Sequence, residues 1–152
     1  MAKRSAGLLL YRGTGGSVEV LLVHPGGPFW ARRDDGAWSI PKGEYGPGED
    51  PRAVAEREFR EELGTDAPGS DARDLGEVRQ AGGKVVWAWA IPGDIDVSKI
   101  LSNTFEMEWP PRSGQKKQFP EIDRIGWFGL PAAMKKIIAY QRPFLIELEK
   151  LA

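Results

Sequence analysis

The chain contains no cysteine, and it has one histidine among its 152 residues. Disulfides, thiolate nucleophiles and Cys-ligated zinc are excluded, and a His-rich metal cluster cannot be built. It also lacks an excess of either charge: Lys plus Arg number 21, Asp plus Glu 22, for a net charge of −1. A general nucleic-acid binder carries a strongly basic balance, so DNA binding is not expected. An anionic ligand must therefore be met by a few placed cations or by a metal. Long hydrophobic runs are missing as well. The apolar stretch Ala6–Leu10 near the start is too short for the core of a signal peptide or for a membrane span, and it reads as a first strand. The lack of cysteine fits a reducing, cytoplasmic setting, and no membrane association is expected.

The length suits one domain, taken here as residues 1–152, with enough chain to bury a sizeable core. AGLLLYR (6–12) and VEVLLVH (18–24) are apolar runs joined by GTGGS, the pattern of a hairpin. GGPFWARRDDGAW (26–38) has no periodicity and reads as a loop. Asp50 followed by Pro51 signals a helix start and Gly64 a helix stop, so a helix is expected from Pro51 to about Leu63. KVVWAWAI (84–91), NTFEMEW (103–109) and DRIGWFG (123–129) read as strands, and PPRSGQKKQFPE (110–121) as a basic loop. From Pro131 onward the chain reads as helical, with Pro143 a break or a first-turn residue. The order of elements predicts a mixed-sheet α/β (α+β) fold.

The informative stretch is GEYGPGEDPRAVAEREFREELG, residues 43–64. On a helix, Glu58, Glu61 and Glu62 stand at offsets that share a face. They cover a sector of roughly 100°. Ala55, Phe59 and Leu63 occupy the neighbouring sector and would pack on a sheet. A solvated face stitched by the i,i+4 pairs Glu56–Arg60 and Arg57–Glu61 is the plainer reading. Against it, Glu58–Glu62 is a like-charge i,i+4 pair, destabilising by roughly 0.2–0.5 kcal/mol. A divalent cation between them turns that repulsion into affinity. Hard carboxylate oxygens without cysteine or clustered histidine select Mg²⁺ or Mn²⁺ over zinc. Such a site suits hydrolysis at phosphorus.

These residues resemble the Nudix box, G-x5-E-x7-R-E-U-x-E-E-x-G-U. Gly43, Glu49, Arg57, Glu58, Glu61, Glu62 and Gly64 match its fixed letters in register. Phe59 and Thr65 depart from its two bulky aliphatic positions, which are packing positions. WSIPKG (38–43) resembles the W-x-x-P-K-G that precedes the box in many Nudix enzymes, and FPEIDRIGWF (119–128) resembles a later family segment that closes the sheet.

The resemblance implies an α/β/α sandwich with a mixed sheet. It implies hydrolysis of a pyrophosphate bond in a nucleoside diphosphate linked to another moiety, such as a dinucleoside polyphosphate or (d)NTP. Glu58, Glu61 and Glu62 would be the metal-binding carboxylates, with Glu61 ligand, base or both. The backbone carbonyl near Lys42–Gly43 would complete the shell. Glu49 and Arg57 would form a supporting pair that fixes the loop over the helix.

Other assignments are expectations with a structural alternative beside them. Glu121 could be an added catalytic carboxylate or a surface glutamate. Glu106 and Glu108 share one strand face and suit solvent better. Lys42 is the first choice among phosphate-binding cations, ahead of Arg32 and Arg33 or Arg112, Lys116 and Lys117. Phe29 and Trp30 could stack a base or anchor their loop. Trp87 and Trp89 share a strand face and read as core, and His24 as structural. Two other functions stay open: a catalytically silent nucleotide sensor on the same fold, and a pyrophosphohydrolase of RNA 5′ ends. Whether the chain acts as a monomer or a homodimer is not readable.

Overall fold

The computed structural model describes residues 3–68, 71–99 and 103–151. The strands are β1 (Arg4–Arg12), β2 (Glu19–Pro25), β3 (Lys42–Tyr45), β4 (Arg73–Arg79), β5 (Val85–Pro92), β6 (Thr104–Glu108), β7 (Lys116–Pro120) and β8 (Ile122–Gly129). The helices are α1 (Pro51–Leu63), α2 (Leu130–Lys136) and α3 (Arg142–Leu151). Six strands form one mixed sheet in the order β4-β5-β1-β2-β8, with β3 also paired to β1, while β6 and β7 form a separate hairpin.

β1 organises the sheet. Its six buried residues, Ser5 to Leu10, read as a continuous run because both of its faces are covered. Ala6, Leu8 and Leu10 point to one face and meet Ala55, Phe59 and Leu63 of α1. Leu9 points to the other, with Val20 and Leu22 of β2, and meets Ala133 of α2 and Phe144, Leu145 and Leu148 of α3. A sheet between helices on both faces is the expected α/β/α sandwich. Each fully buried Leu or Phe contributes about 1.5–3 kcal/mol. Phe59 is fully buried in this layer, so its departure from the aliphatic box position is a larger core residue.

β5 runs parallel to β1 along its whole length. The opposite edge of β1 is shared: β3 takes Arg4–Gly7 and β2 takes Tyr11 and Arg12. β2 and β3 therefore diverge from one edge and leave a wedge between them. The WSIPKG segment enters that wedge, tied to β2 by the mutual Val23–Ser39 backbone bonds at 2.9 Å.

α1 begins and ends where its sequence signals stand. The Asp50 carboxylate accepts the Arg52 N–H at 3.3 Å, Pro51 opens the first turn, and Gly64 closes the helix at φ 72°. Of the two helix pairs read from spacing, Arg57–Glu61 forms at 4.0 Å. Glu56 instead pairs with Arg52, and Arg60 with Asp66.

Two expectations need correction. The basic loop 110–121 contains β7, which pairs with β6 residue for residue from Glu108↔Lys116 to Thr104↔Pro120. β3 and β4 carry no strand signal of their own: KGEY and RDLGEVR lack an apolar alternation, and their partners β1 and β5 hold them in the sheet. The stretch from Pro131 onward is not one helix: it is interrupted at Ile137–Ile138, because Ile138 N–H turns to donate to the Trp38 carbonyl at 2.7 Å. Pro143 stands in the first turn of α3, where its missing N–H has no cost. No described helix is long and apolar enough to cross a membrane.

Candidate active site

Glu58 and Glu62 lie on the side of α1 that faces β3, and Glu61 stands beside the Arg57 guanidinium. Glu58 is half-buried, with its side chain 21% exposed, whereas Glu61 is 44% exposed. Gly43 pairs with Ala6, so its α-hydrogen faces α1. A Cβ there would stand 2.1 Å from Glu58 Cδ. Only glycine lets β3 approach the helix closely enough to bring its backbone to the carboxylates.

Arg57 sits among three carboxylates. Its guanidinium is 3.7 Å from Glu49, 3.9 Å from Glu58 and 4.0 Å from Glu61. Glu49 also accepts the Gly46 N–H at 2.8 Å, which braces the loop between β3 and α1. The Glu49–Arg57 pair thus connects that loop to the acidic face.

Glu62 is the most deeply placed of the three. Its Oε2 is buried and has no hydrogen-bond partner among the described residues. Burial pushes its carboxyl up to about 8, Glu58 and Glu121 push in the same direction, and Lys42 opposes them through its charge and its backbone N–H. Burial also raises Glu58, with Glu61 and Glu121 adding to it and Arg57 and Lys42 opposing. A buried carboxylate oxygen without a donor, surrounded by like charges, is chemically suited to a hard divalent cation. The carboxylate donors therefore fit such an ion, although no three acidic or His side chains stand in a ready-made cluster among the described residues.

Glu121 joins this group from the opposite side. It follows β7, and its backbone is clamped twice: its N–H donates to the Asn103 carbonyl and its carbonyl accepts the Gly26 N–H, both at 2.8 Å. A Cβ on Gly26 would lie 1.8 Å from the Pro120 carbonyl oxygen, so this close approach also requires glycine.

Glu62, Glu121, Lys42 and Trp30 line one cavity of about 250 Å³, together with Ser39 and Tyr140. Its walls come from the wedge between β2 and β3, the base of the β6–β7 hairpin and the segment before α3. The cavity combines an acidic side, one ammonium group and two aromatic rings.

The remaining expected residues fall elsewhere. Phe29 is 63% exposed and packs edge-on against Trp109 at 5.5 Å. Arg32 is exposed and does not line the cavity, and the Arg33 guanidinium lies over the Trp30 ring at 5.6 Å. Glu106 engages Gln118 at 3.1 Å and Lys116 at 3.7 Å on the outer face of the hairpin. Trp87 and Trp89 stack at 4.7 Å on the α1 side, with only Trp89 fully in the core. His24 is fully buried and lies between Asp123 Oδ1 and the Arg33 carbonyl, each at 2.6 Å, tying the 26–38 loop to β8.

Sequence reasoning missed Ser39, Tyr140 and Gln141. Gln141 is fully buried; its Oε1 accepts the Ile40 N–H at 3.1 Å, and its Nε2 donates to Ser39 Oγ at 3.0 Å and Tyr140 Oη at 3.3 Å. It fixes WSIPKG against the start of α3. No local pattern marks it, because its partners Ser39 and Ile40 lie about a hundred residues away in sequence.

The NUDIX domain family model matches residues 1–148. A search of curated protein sequences finds no match. Among solved structures, an Ap4A hydrolase of C. elegans in a binary complex is 23% identical with a TM-score of 0.65, covering 99% of this chain and 97% of that one. The NUDIX domain of Shewanella oneidensis NrtR complexed with ADP ribose is 18% identical at TM-score 0.63, covering 100% and 90%. The MutT protein of Methanosarcina mazei Go1 is 20% identical at TM-score 0.62, covering 99% and 94%. At these identities the likeness is one of fold, and the family rests on the domain match and the box residues. The chain belongs to the Nudix family, whose enzymes are pyrophosphohydrolases acting on acid anhydrides.

Proposed function

We propose that this protein is a Mg²⁺- or Mn²⁺-dependent hydrolase of the pyrophosphate bond in a nucleoside diphosphate linked to another moiety, such as a dinucleoside polyphosphate or (d)NTP. The observation that carries this reading is the meeting of Glu62, Glu121 and Lys42 at one cavity beside two aromatic rings.

In this reading Glu58 and Glu62 hold the cation, Glu61 and the Gly43 carbonyl complete its surroundings, and Arg57 keeps the carboxylates in place through its three contacts. The cation, when bound, supplies charge neutralisation at the phosphoryl oxygens and makes an attacking water more acidic. Glu121 takes the proton as the water oxygen bonds to phosphorus; the bridging P–O bond breaks and its electron pair leaves with the departing phosphate. Lys42 offsets charge on that phosphate. Trp30 stacks the base, and Tyr140 closes the cavity wall beside it. Phe29 and Arg32 remain contacts for a larger substrate at the cavity rim. The activity resides in this one domain, acting as a monomer or a homodimer in the cytoplasm.

Retention of every box carboxylate favours an enzyme over a silent sensor, and the balanced charge favours a small nucleotide over an RNA 5′ end. The test is product release from (d)NTPs, dinucleoside polyphosphates, ADP-ribose, NADH, nucleotide sugars and capped RNA with Mg²⁺ or Mn²⁺. Turnover of one class supports the reading. Nucleotide binding without release from any of them supports the sensor instead.

A further inference from the structure

A second cavity, of about 330 Å³, adjoins the first across Lys42 and Tyr140, which line both. Its floor is a row across the sheet: Glu44 of β3, Ser5 of β1 and Val86 of β5 are successive register partners. Val86 belongs to the core layer under α2 and α3, so this row faces that side, and Lys42, two residues from Glu44, faces it too. The outer wall is the β4–β5 turn, where Gln80 and Lys84 are locked together by the Gln80 N–H donated to the Lys84 carbonyl at 2.7 Å.

The lining has the chemistry of an anion site. Lys42 and Lys84 both line it, and among the described residues neither is held in an ion pair. Gln80 supplies an amide and Ser5, 8% exposed, a hydroxyl. The single carboxylate, Glu44, is partly neutralised by Lys3 at 3.8 Å. Lys42 is the shared element, since it also acts on the charge of Glu58 and Glu62. A phosphate chain with its scissile link at α1 would pass Lys42 and run on into this second cavity.

We propose that the cavity formed by Ser5, Gln80, Lys84 and Tyr140 is the subsite for the distal, phosphate-bearing end of the substrate. This rests on the hydrolase reading above and narrows it. The preferred substrates are nucleosides bearing a polyphosphate chain longer than a diphosphate, whether the chain ends free or in a second nucleoside. Lys84 contributes affinity for length and takes no part in the bond cleavage.

The test is equilibrium binding, by calorimetry with Ca²⁺ as the cation, of ADP, adenosine tetraphosphate and diadenosine tetraphosphate to wild type, Lys84→Ala and Lys84→Glu. Lys84 is exposed on a turn, so both variants keep the fold. Lys84→Glu is expected to weaken both tetraphosphate ligands by about fivefold, the upper range for one exposed ion pair, while changing ADP far less. Loss confined to adenosine tetraphosphate assigns the cavity to a free phosphate end; equal loss for both assigns it to the chain itself. ADP binding with no difference in length dependence between wild type and Lys84→Glu overturns this inference alone. No binding of any of the three ligands to wild type removes the nucleotide reading and this one together.

Discussion

Glu62 on α1 and Glu121 behind the β6–β7 hairpin line the same cavity, and the charge of Glu121 helps to hold the Glu62 carboxyl in its protonated form. Elements far apart in the chain have been brought together so that two carboxylates repel across a partly buried space. Such repulsion is tolerated where a cation or a proton occupies the space between the groups.

A pH dependence follows from Glu62. Its folded value lies near 8 against an ordinary 4.5, so the folded state retains a proton that the unfolded chain releases. The stability from that proton is complete below 4.5 and lost as pH rises through 8. In EDTA, the Tm of wild type should fall over this window relative to Glu62→Gln, which carries no titrating group there. Each kcal/mol corresponds to about 2–4 °C in a chain of this size. Saturating Mg²⁺ should flatten the difference, because the cation replaces the proton. Parallel Tm curves for wild type and Glu62→Gln would show that Glu62 is not held protonated.

Gly43→Ala tests the close approach of β3 to α1. The added methyl collides with Glu58 rather than with the core, so stability should fall by about 1–3 kcal/mol, the range for overpacking. Divalent-ion affinity should drop more sharply than stability. Thermal melts and a Mn²⁺ titration separate the two, and unchanged Mn²⁺ affinity would mean that β3 does not shape the ion site.

Arg57→Ala removes contacts to Glu49, Glu58 and Glu61, all partly exposed. Exposed ion pairs contribute about 0–1 kcal/mol each, so the melting temperature should change little. Turnover should nevertheless fall by about tenfold or more, as when a group that orients metal ligands is removed. A large loss of stability with turnover per folded molecule unchanged would make Arg57 a structural residue only.

Gln141→Leu strands the buried Ile40 N–H without its acceptor, destabilising the protein by about 1–3 kcal/mol. Because Gln141 also bonds Ser39 and Tyr140, both at the cavity wall, KM should rise while kcat is largely kept. A change in kcat alone would place its effect on the carboxylates instead.

Much of this architecture is local and therefore readable. The Asp50–Pro51 start, the Gly64 stop and the i, i+3, i+4 spacing define α1 and its acidic edge without tertiary information. The runs that became β1, β2 and β5 are apolar enough to announce themselves. β3, β4 and β7 are not: their residues are polar, and they are strands because a neighbour offers a free edge. The same division holds for the cavity. The glutamates of one helix can be found by counting, and Lys42 by its place beside the box. Tyr140 and Gln141 reach the wedge only because the segment 138–141, before α3, folds back over WSIPKG, a long-range relation that no spacing encodes.

The most direct test of the joint action of α1 and the hairpin base is turnover by wild type, Glu62→Gln and Glu121→Gln at saturating Mg²⁺, with nucleotide binding measured alongside. The account predicts nucleotide release by wild type, and deep loss of turnover in both variants with binding of the nucleotide retained. Full turnover by Glu62→Gln, or by Glu121→Gln across the whole pH range, would contradict a reaction centre built from these two carboxylates.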